Sequence, residues 1–383
     1  FGQEGTFVGT ETAGGNSDAN GVGNFFNPVP SGFLALASSN LTITIGPGQD
    51  SQADDHFNTV LYTGNGSTQS ITGVGFQPDW TWLKSRSAAQ GHNVFDVIRG
   101  ANKALFPNDS NAEFTDTDRL NSFDSDGFSL GADANINTSS ATYVSWNWKA
   151  GGTAASNSNG TITSSVSANT DAGFSIISWT GSGADGTIGH GLTQTPSFFI
   201  TKDRNNTRNW EGFHKDLTAG YVLYLNLTNA QNNAGNTYFQ GGFSASGTND
   251  TTIALSSYLA QTGRPMIGYA FHSVSGYSAI GSYVGTGTTD NFVFLGFRPA
   301  FILIKNISAS SAWYIFDSAR NTYNVMDNYL RANLSNAEGS LDFCDFLSNG
   351  FRIRSSAAEW NGSGNKIIVL SFAEAPFAFA NAR

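Results

Sequence analysis

Cysteine, methionine, proline and charge are all scarce in this chain. One Cys and two Met occur in 383 residues, nine residues are Pro, and only 13% are charged, about half the share of an ordinary globular protein. The lone Cys344 excludes an intrachain disulfide, and with it a thiolate zinc site. Seven Glu and seven Lys are too few strong helix formers for a helical protein, since Asn, Ser and Thr compete for backbone hydrogen bonds and Gly costs about 1 kcal/mol in a helix. Basic excess is missing too. Nineteen Lys plus Arg stand against 29 acids, a net charge of −10, which disfavours nucleic acid and anionic membrane surfaces as partners. No run approaches the roughly 18 apolar residues of a membrane helix, and no signal-peptide pattern is present. The first residue, Phe1 rather than Met, implies an upstream segment. What the chain has instead is 44 Gly, 30 Phe, 12 Tyr and eight Trp. Its stability must come from aromatic burial.

A pattern occurs three times. Gly75-Phe-Gln-Pro78 leads to Trp80-Thr-Trp-Leu-Lys84, Pro196 to Phe198-Phe-Ile-Thr-Lys202, and Gly296-Phe-Arg-Pro299 to Phe301-Ile-Leu-Ile-Lys305. Pro and Lys are six residues apart in each copy, and Phe95, Phe213 and Phe316 follow their Pro by seventeen. Asn111-Ala-Glu113, Asn229-Ala-Gln231 and Asn336-Ala-Glu338 come next, and each copy closes on an apolar run: Tyr143–Trp148, Met266–Phe271 or Lys366–Phe372. At about 100 residues, one copy is long enough to carry its own core.

Short runs of Val, Ile, Phe, Tyr and Trp punctuated by Gly, Asn, Asp and Ser read as antiparallel strands. The expected fold is all-β: three tandem β-sandwich repeats at 56–150, 171–275 and 276–383, with a flexible Gly/Ser/Asn-rich linker at 151–170 and a tight join near Ser273–Gly276. The strand after each Pro has apolar residues on both faces, so one side should meet the partner sheet and the other a loop or neighbouring unit. Residues 1–55 lie outside the repeat; Phe1–Phe7 and Pro30–Leu36 read as two strands of another sheet.

Chemistry-bearing groups are few. The five histidines show no metal-ligand spacing, and no nucleophile–base or paired-carboxylate pattern stands out. Asp96-Val-Ile-Arg99 recurs as Asp317-Ser-Ala-Arg320, readable as a polar ligand site or as a structural ion pair; the middle copy has His214 and Leu217 there. Asp124 and Asp126 could suggest calcium, although the third copy replaces them with Leu347 and Asn349, which favours a turn. Trp210, Trp313, Tyr314 and Trp360 stand in loop-like contexts, where they could stack on sugars or pack in a core.

The string Gly75–Lys84, followed by Phe95-Asp-Val-Ile-Arg-Gly100, Ser110-Asn-Ala-Glu113, Phe123-Asp-Ser-Asp-Gly-Phe128 and Tyr143-Val-Ser-Trp-Asn-Trp-Lys149, resembles a repeated domain of marine bacteriophage structural proteins. So does the ending Phe372–Arg383, and the resemblance covers residues 57–383. Gly15–Gly21 and Pro30–Leu36 look like the tail of a SPRY-like, concanavalin-type jelly roll. The resemblance implies a non-enzymatic virion protein, a tail fibre or spike segment at the particle surface, with no cofactor. Its partners would be other virion proteins, host-surface polysaccharide and, by analogy with viral fibres, two further copies in a trimer. The alternatives are a capsid decoration or spacer, and a secreted bacterial carbohydrate-binding or adhesin module.

Overall fold

The structure, a computed structural model, describes residues 12, 14–31, 45–46, 49–239 and 248–375. The strands expected at Phe1–Phe7 and through most of Pro30–Leu36 lie outside the described residues. The first unit comprises β1 (Phe57–Thr63), β2 (Gln69–Thr72), β3 (Trp80–Ser85), β4 (Asn93–Asp96), β5 (Lys103–Ala104), β6 (Phe114–Thr115), β7 (Leu120–Asp124), β8 (Gly127–Leu130), the helical turn α1 (Ala134–Asn137) and β9 (Thr142–Trp148). The middle unit holds β10 (Ala155–Asn157), β11 (Ser164–Asn169), β12 (Phe174–Thr180), β13 (Gly186–Gly189), β14 (Phe198–Asp203), β15 (Glu211–His214), β16 (Tyr221–Tyr224), β17 (Asn232–Asn233), β18 (Thr252–Leu255) and β19 (Pro265–Phe271). The third runs through β20 (Ser278–Val284), β21 (Asn291–Phe294), β22 (Pro299–Asn306), β23 (Trp313–Asp317), β24 (Met326–Arg331), β25 (Gly339–Leu347), β26 (Gly350–Ile353), α2 (Ala358–Asn361) and β27 (Lys366–Ala373).

The fold is all-β and antiparallel. One four-strand order appears in each unit: β1-β9-β3-β4, β12-β19-β14-β15 and β20-β27-β22-β23. Against the outer face of these inner sheets lie β2-β8-β7, β13-β18 and β21-β26-β25, enclosing three outer cores that contain Phe95, Phe213 and Phe316 respectively. In the third unit β24 turns the corner, so inner and outer layers form one continuous eight-stranded sheet.

The units are not separate sandwiches. The inner faces of all three sheets converge on one core that takes Trp80, Trp82, Trp146 and Trp148 from the first unit, Phe174, Phe198, Tyr269 and Phe271 from the middle one, and Phe301, Leu303, Leu370 and Phe372 from the third. Trp80 stacks on Tyr269 at 4.5 Å, Phe57 on Phe372 at 5.0 Å, and Phe198 meets Trp313 at 6.5 Å, so each unit touches both others. Each fully buried Phe stabilises by roughly 1.5–3 kcal/mol. That sum is shared, and an isolated unit would expose the inner face of its sheet. The apolar residues on both faces of β3, β14 and β22 thus meet the partner sheet on one side and the neighbouring units on the other.

Residues 151–170 are also not a free linker. β11 pairs along its whole length with β12, and β10 adds to its edge. Ser164, Val166 and Ser167 are buried, a pattern too polar to read as a strand from composition. Upstream, Ile45 and Ala53 are buried in the shared core.

The recurring lysine has a physical reason. Strand alternation carries Lys84, Lys202 and Lys305 onto the same face as Trp80, Phe198 and Phe301, and all three are buried. Each ammonium is held by backbone carbonyls: Ser85 O at 2.6 Å, Asp203 O at 2.9 Å and Asn306 O at 2.8 Å. Burial lowers their pKa values to about 8, 8 and 7.

Candidate functional site

The residues singled out for ligand binding lie almost entirely at the junctions between units, and the reason is visible in the backbone. Glu113 N donates to Arg204 O (2.7 Å), Gln231 N to Ile307 O (3.1 Å) and Glu338 N to Arg86 O (2.8 Å), so the first unit grips the second, the second the third, and the third the first. The ring closes. On the opposite hand, Trp210 Nε1 donates to Phe106 O at 2.9 Å and Trp313 Nε1 to Tyr224 O at 3.0 Å. His92, in the corresponding position of the first unit, bonds Arg331 O through Nε2 (3.0 Å), while its Nδ1 accepts from Trp82 Nε1 (2.8 Å).

Trp210 and Trp313 therefore cannot stack on a sugar: they are 0% and 1% exposed and act as inter-unit wedges. Tyr314 and Trp360 are buried as well, packed edge to face at 4.9 Å in the outer core of the third unit. A loop-like sequence context does not reveal that a chain segment passes through an interior.

Asp96–Arg99 and Asp317–Arg320 are ion pairs of 2.5 Å and 2.6 Å, with no side-chain exposure on either partner. They too are junction parts rather than a ligand site. Asp96 accepts from Tyr269 OH of the middle unit (2.7 Å), and Asp317 from Trp146 Nε1 of the first (3.0 Å). Arg99 also reaches Glu113 (3.4 Å), which bonds Arg204 across the junction (2.8 Å); Arg320 reaches Glu338 (3.0 Å), which bonds Arg86 (2.8 Å). Burial pushes the Glu113 and Glu338 carboxyls up, but their arginines outweigh it and hold both below the ordinary value.

The third junction lacks this buried charge set, its ionic contact being Lys366, which donates across it to Asp216 O at 2.7 Å. His214, Leu217 and Gln231 stand where the other units have Asp, Arg and Glu, and across from them Ile307 and Leu370 replace Arg and the Trp or Tyr donor. Burial holds His214 at a pKa of about 4, uncharged at neutrality. A buried carboxylate without its guanidinium is strongly unfavourable, so the set is present whole or absent whole. That is the physical reason the middle copy departs from the pattern at all three positions.

Asp124 accepts from the hydroxyls of Ser122 (2.7 Å) and Ser129 (2.6 Å), and Asp126 from the backbone of Gly73 (3.1 Å) and Gly75 (2.7 Å). Those two backbone donors lower the Asp126 pKa. The pair ties a turn, and among the described residues no group of three or more His, Cys, Asp or Glu could hold a metal ion.

Where side chains do converge on open space is a pocket of about 150 Å³ in the first unit, beside β4 and α1. Gly91, Asn93, Phe106, Asn108, Asp109, Asn111, Arg119 and Asn135 line it. The third unit explains its existence. Asn93 occupies the position of Tyr314, next to the strand partner Leu83 or Ile304, and Ile136 in α1 the position of Trp360 in α2. Two large rings are replaced by an amide and a smaller aliphatic side chain. Arg119 enters instead, its guanidinium 5.3 Å from the Phe106 ring and 5.4 Å from Phe114, held by Asn93 (2.6 Å), Asp116 (3.2 Å) and Asp133 (3.3 Å). Sequence reasoning missed this site because a cavity is made by side chains that are not there. The contrast between Asn93 and Tyr314 in aligned copies was the available signal.

The family model described as Domain of unknown function (DUF7483) matches residues 52–376. The chain belongs to that family, and the matched region spans all three units. No curated protein matches the chain.

Proposed function

We propose that this chain is a non-enzymatic segment of a phage virion, a tail fibre or spike part at the particle surface that contacts the host, with surface glycans as its targets. The observation that carries the reading is the closed ring: three units locked by reciprocal backbone bonds, buried tryptophans and two complete charge sets. The titratable groups singled out from the sequence are committed to those junctions and to turns, which suits a body whose task is to hold its shape and present a surface. The polar, weakly charged exterior suits contact with hydrated polysaccharide. The threefold arrangement lies within a single chain, so this body needs no partner copy to complete its core, and any trimer would add to it from outside.

The test is negative-stain microscopy of intact particles labelled with antibody against residues 52–376. Label at fibre tips, together with binding of the purified chain to host cells, is the expected result. Label over the capsid would favour a decoration or spacer, and absence from particles would overturn the virion assignment. Release of reducing ends from host polysaccharide by the purified chain would overturn the non-enzymatic assignment.

A further inference from the structure

We propose that the first-unit pocket between Gly91, Phe106 and Arg119 takes one neutral saccharide unit. The inference rests on the reading of the chain as a glycan-contacting module, and adds the site and the charge class of sugar that it takes. Three observations carry it.

The space is open in the first unit and filled in the third. At about 150 Å³ it exceeds many times the roughly 10–15 Å³ that a single water needs, whereas the third unit fills the corresponding place with Tyr314 against Trp360 and Tyr329. Its walls are also fixed. Asn108 Oδ1 accepts from His92 N at 2.6 Å, as Asn226 does from Trp210 N and Asn333 from Trp313 N, at 3.0 and 2.9 Å. The loop carrying Asn108, Asp109 and Asn111 is thus anchored to the central ring.

The chemistry is that of a polyol site. With Oδ1 engaged, Asn108 keeps its amide donor free, and Arg119 keeps Nη2 after its bonds through Nε and Nη1. Asn111 and Asn135 spend their Nδ2 groups on Asp109 (2.7 Å) and Asp133 (3.4 Å), which leaves both Oδ1 atoms as acceptors. Free donors and free acceptors together match vicinal hydroxyls, each of which gives and takes a hydrogen bond. Phe106 supplies an apolar wall for a ring's C–H edge.

Charge then excludes acidic sugars. The one guanidinium of Arg119 stands against Asp109 in the pocket and Asp116 and Asp133 behind it, so the site is net negative. An acidic sugar would find no spare positive charge and would be repelled by the surrounding carboxylates.

The test is saturation-transfer NMR on the full chain with the methyl glycosides of glucose, galactose, mannose and N-acetylglucosamine, and with glucuronate and sialate as acidic counterparts. Gly91→Leu fills the pocket: Gly91 is outside the left-handed region, and a Cβ there would meet only the Asn108 side chain, whose Oδ1 at 3.3 Å must give by a few tenths of an ångström. Asn111→Ala, at an exposed position, removes one acceptor together with the amide that bonds Asp109. At least one neutral glycoside should bind, and each variant should weaken it tenfold or more with an unchanged Tm. Binding only of the acidic sugars, or neutral binding indifferent to both variants, overturns the inference. If the chain attaches to host cells yet binds no neutral glycoside, this pocket assignment fails while the recognition reading stands. If it binds neither cells nor glycosides, both fail.

Discussion

Arg99→Leu places in the first junction the side chain that the middle unit already uses at Leu217, and its cost can be worked from the bonds it breaks. The guanidinium donates to Asp96 (2.5 Å), Lys103 O (2.8 Å), Val94 O (3.0 Å) and Glu113 (3.4 Å) with no side-chain exposure. Its loss removes one donor from the Lys103 carbonyl and one from the Val94 carbonyl, which keeps Leu105 N at 3.1 Å, and leaves a buried carboxylate facing only the Tyr269 hydroxyl and local backbone N–H groups. Removing one partner of a buried pair costs about 3–5 kcal/mol. For a cooperative body of some 325 residues, with an unfolding entropy of about 2.1 cal/mol/K per residue, that is a fall of about 4–8 °C in Tm. The remedy is also specified: adding Asp96→His and Glu113→Gln supplies the middle unit's residues on the first-unit side and removes the stranded carboxylates, leaving only Arg204, 20% exposed, to be solvated. The triple variant should therefore be more stable than Arg99→Leu alone, by about 1–3 kcal/mol of coupling. Guanidinium melts followed by circular dichroism at pH 7.5 read both numbers. If Arg99→Leu costs less than 1 kcal/mol, or the triple variant merely adds three losses, the account of a charge set kept or discarded whole is wrong.

Trp210→Ala should lower stability by about 3–5 kcal/mol, because it opens a cavity at the junction and removes one of the two donors to the Phe106 carbonyl. A Tm within 1 °C of the parent in a thermal melt would return that ring to the surface. The lysine ring gives a pH signature: folded pKa values of about 8, 8 and 7 lie below the ordinary 10.5, so the folded state binds fewer protons and stability rises with pH. Glu211, raised to about 8 by burial, acts oppositely only up to that pH. Between pH 8 and 9 the unfolding free energy should climb by up to about 1.4 kcal/mol per pH unit for each lysine, before the buried Tyr62, Tyr269, Tyr277, Tyr283 and Cys344, all raised by burial, reverse the trend nearer pH 10, and Lys305→Met should flatten that slope by at least a third. A slope the same in parent and variant would contradict this.

Much of the scaffold was legible in the sequence. The six-residue step from Pro to Lys and the doubly apolar strand after it located β3, β14 and β22, since alternation converts residue type directly into face. What lay beyond reach was which object covers each face. Trp210 and Trp313 read as loop aromatics because their partners, the carbonyls of Phe106 and Tyr224, are more than 80 residues away and carry no side-chain signature. Asp96 and Arg99 read as a structural pair ahead of a ligand site, but nothing in the sequence placed Tyr269 against them. β11 was hidden because its buried positions include Ser164 and Ser167, polar residues satisfied by the distant Gly189 O and Gly151 N. The pocket left only the small trace of Asn93 and Ile136 in places where another copy has Tyr314 and Trp360.

Three sheets closed on one core should unfold as a single cooperative body, which differential scanning calorimetry of residues 52–376 measures. One transition is expected, with a calorimetric enthalpy near 230 kcal/mol at about 60 °C and a van't Hoff enthalpy equal to it. Three resolvable transitions, or a van't Hoff enthalpy near one third of the calorimetric value, would show units that fold independently and would contradict it.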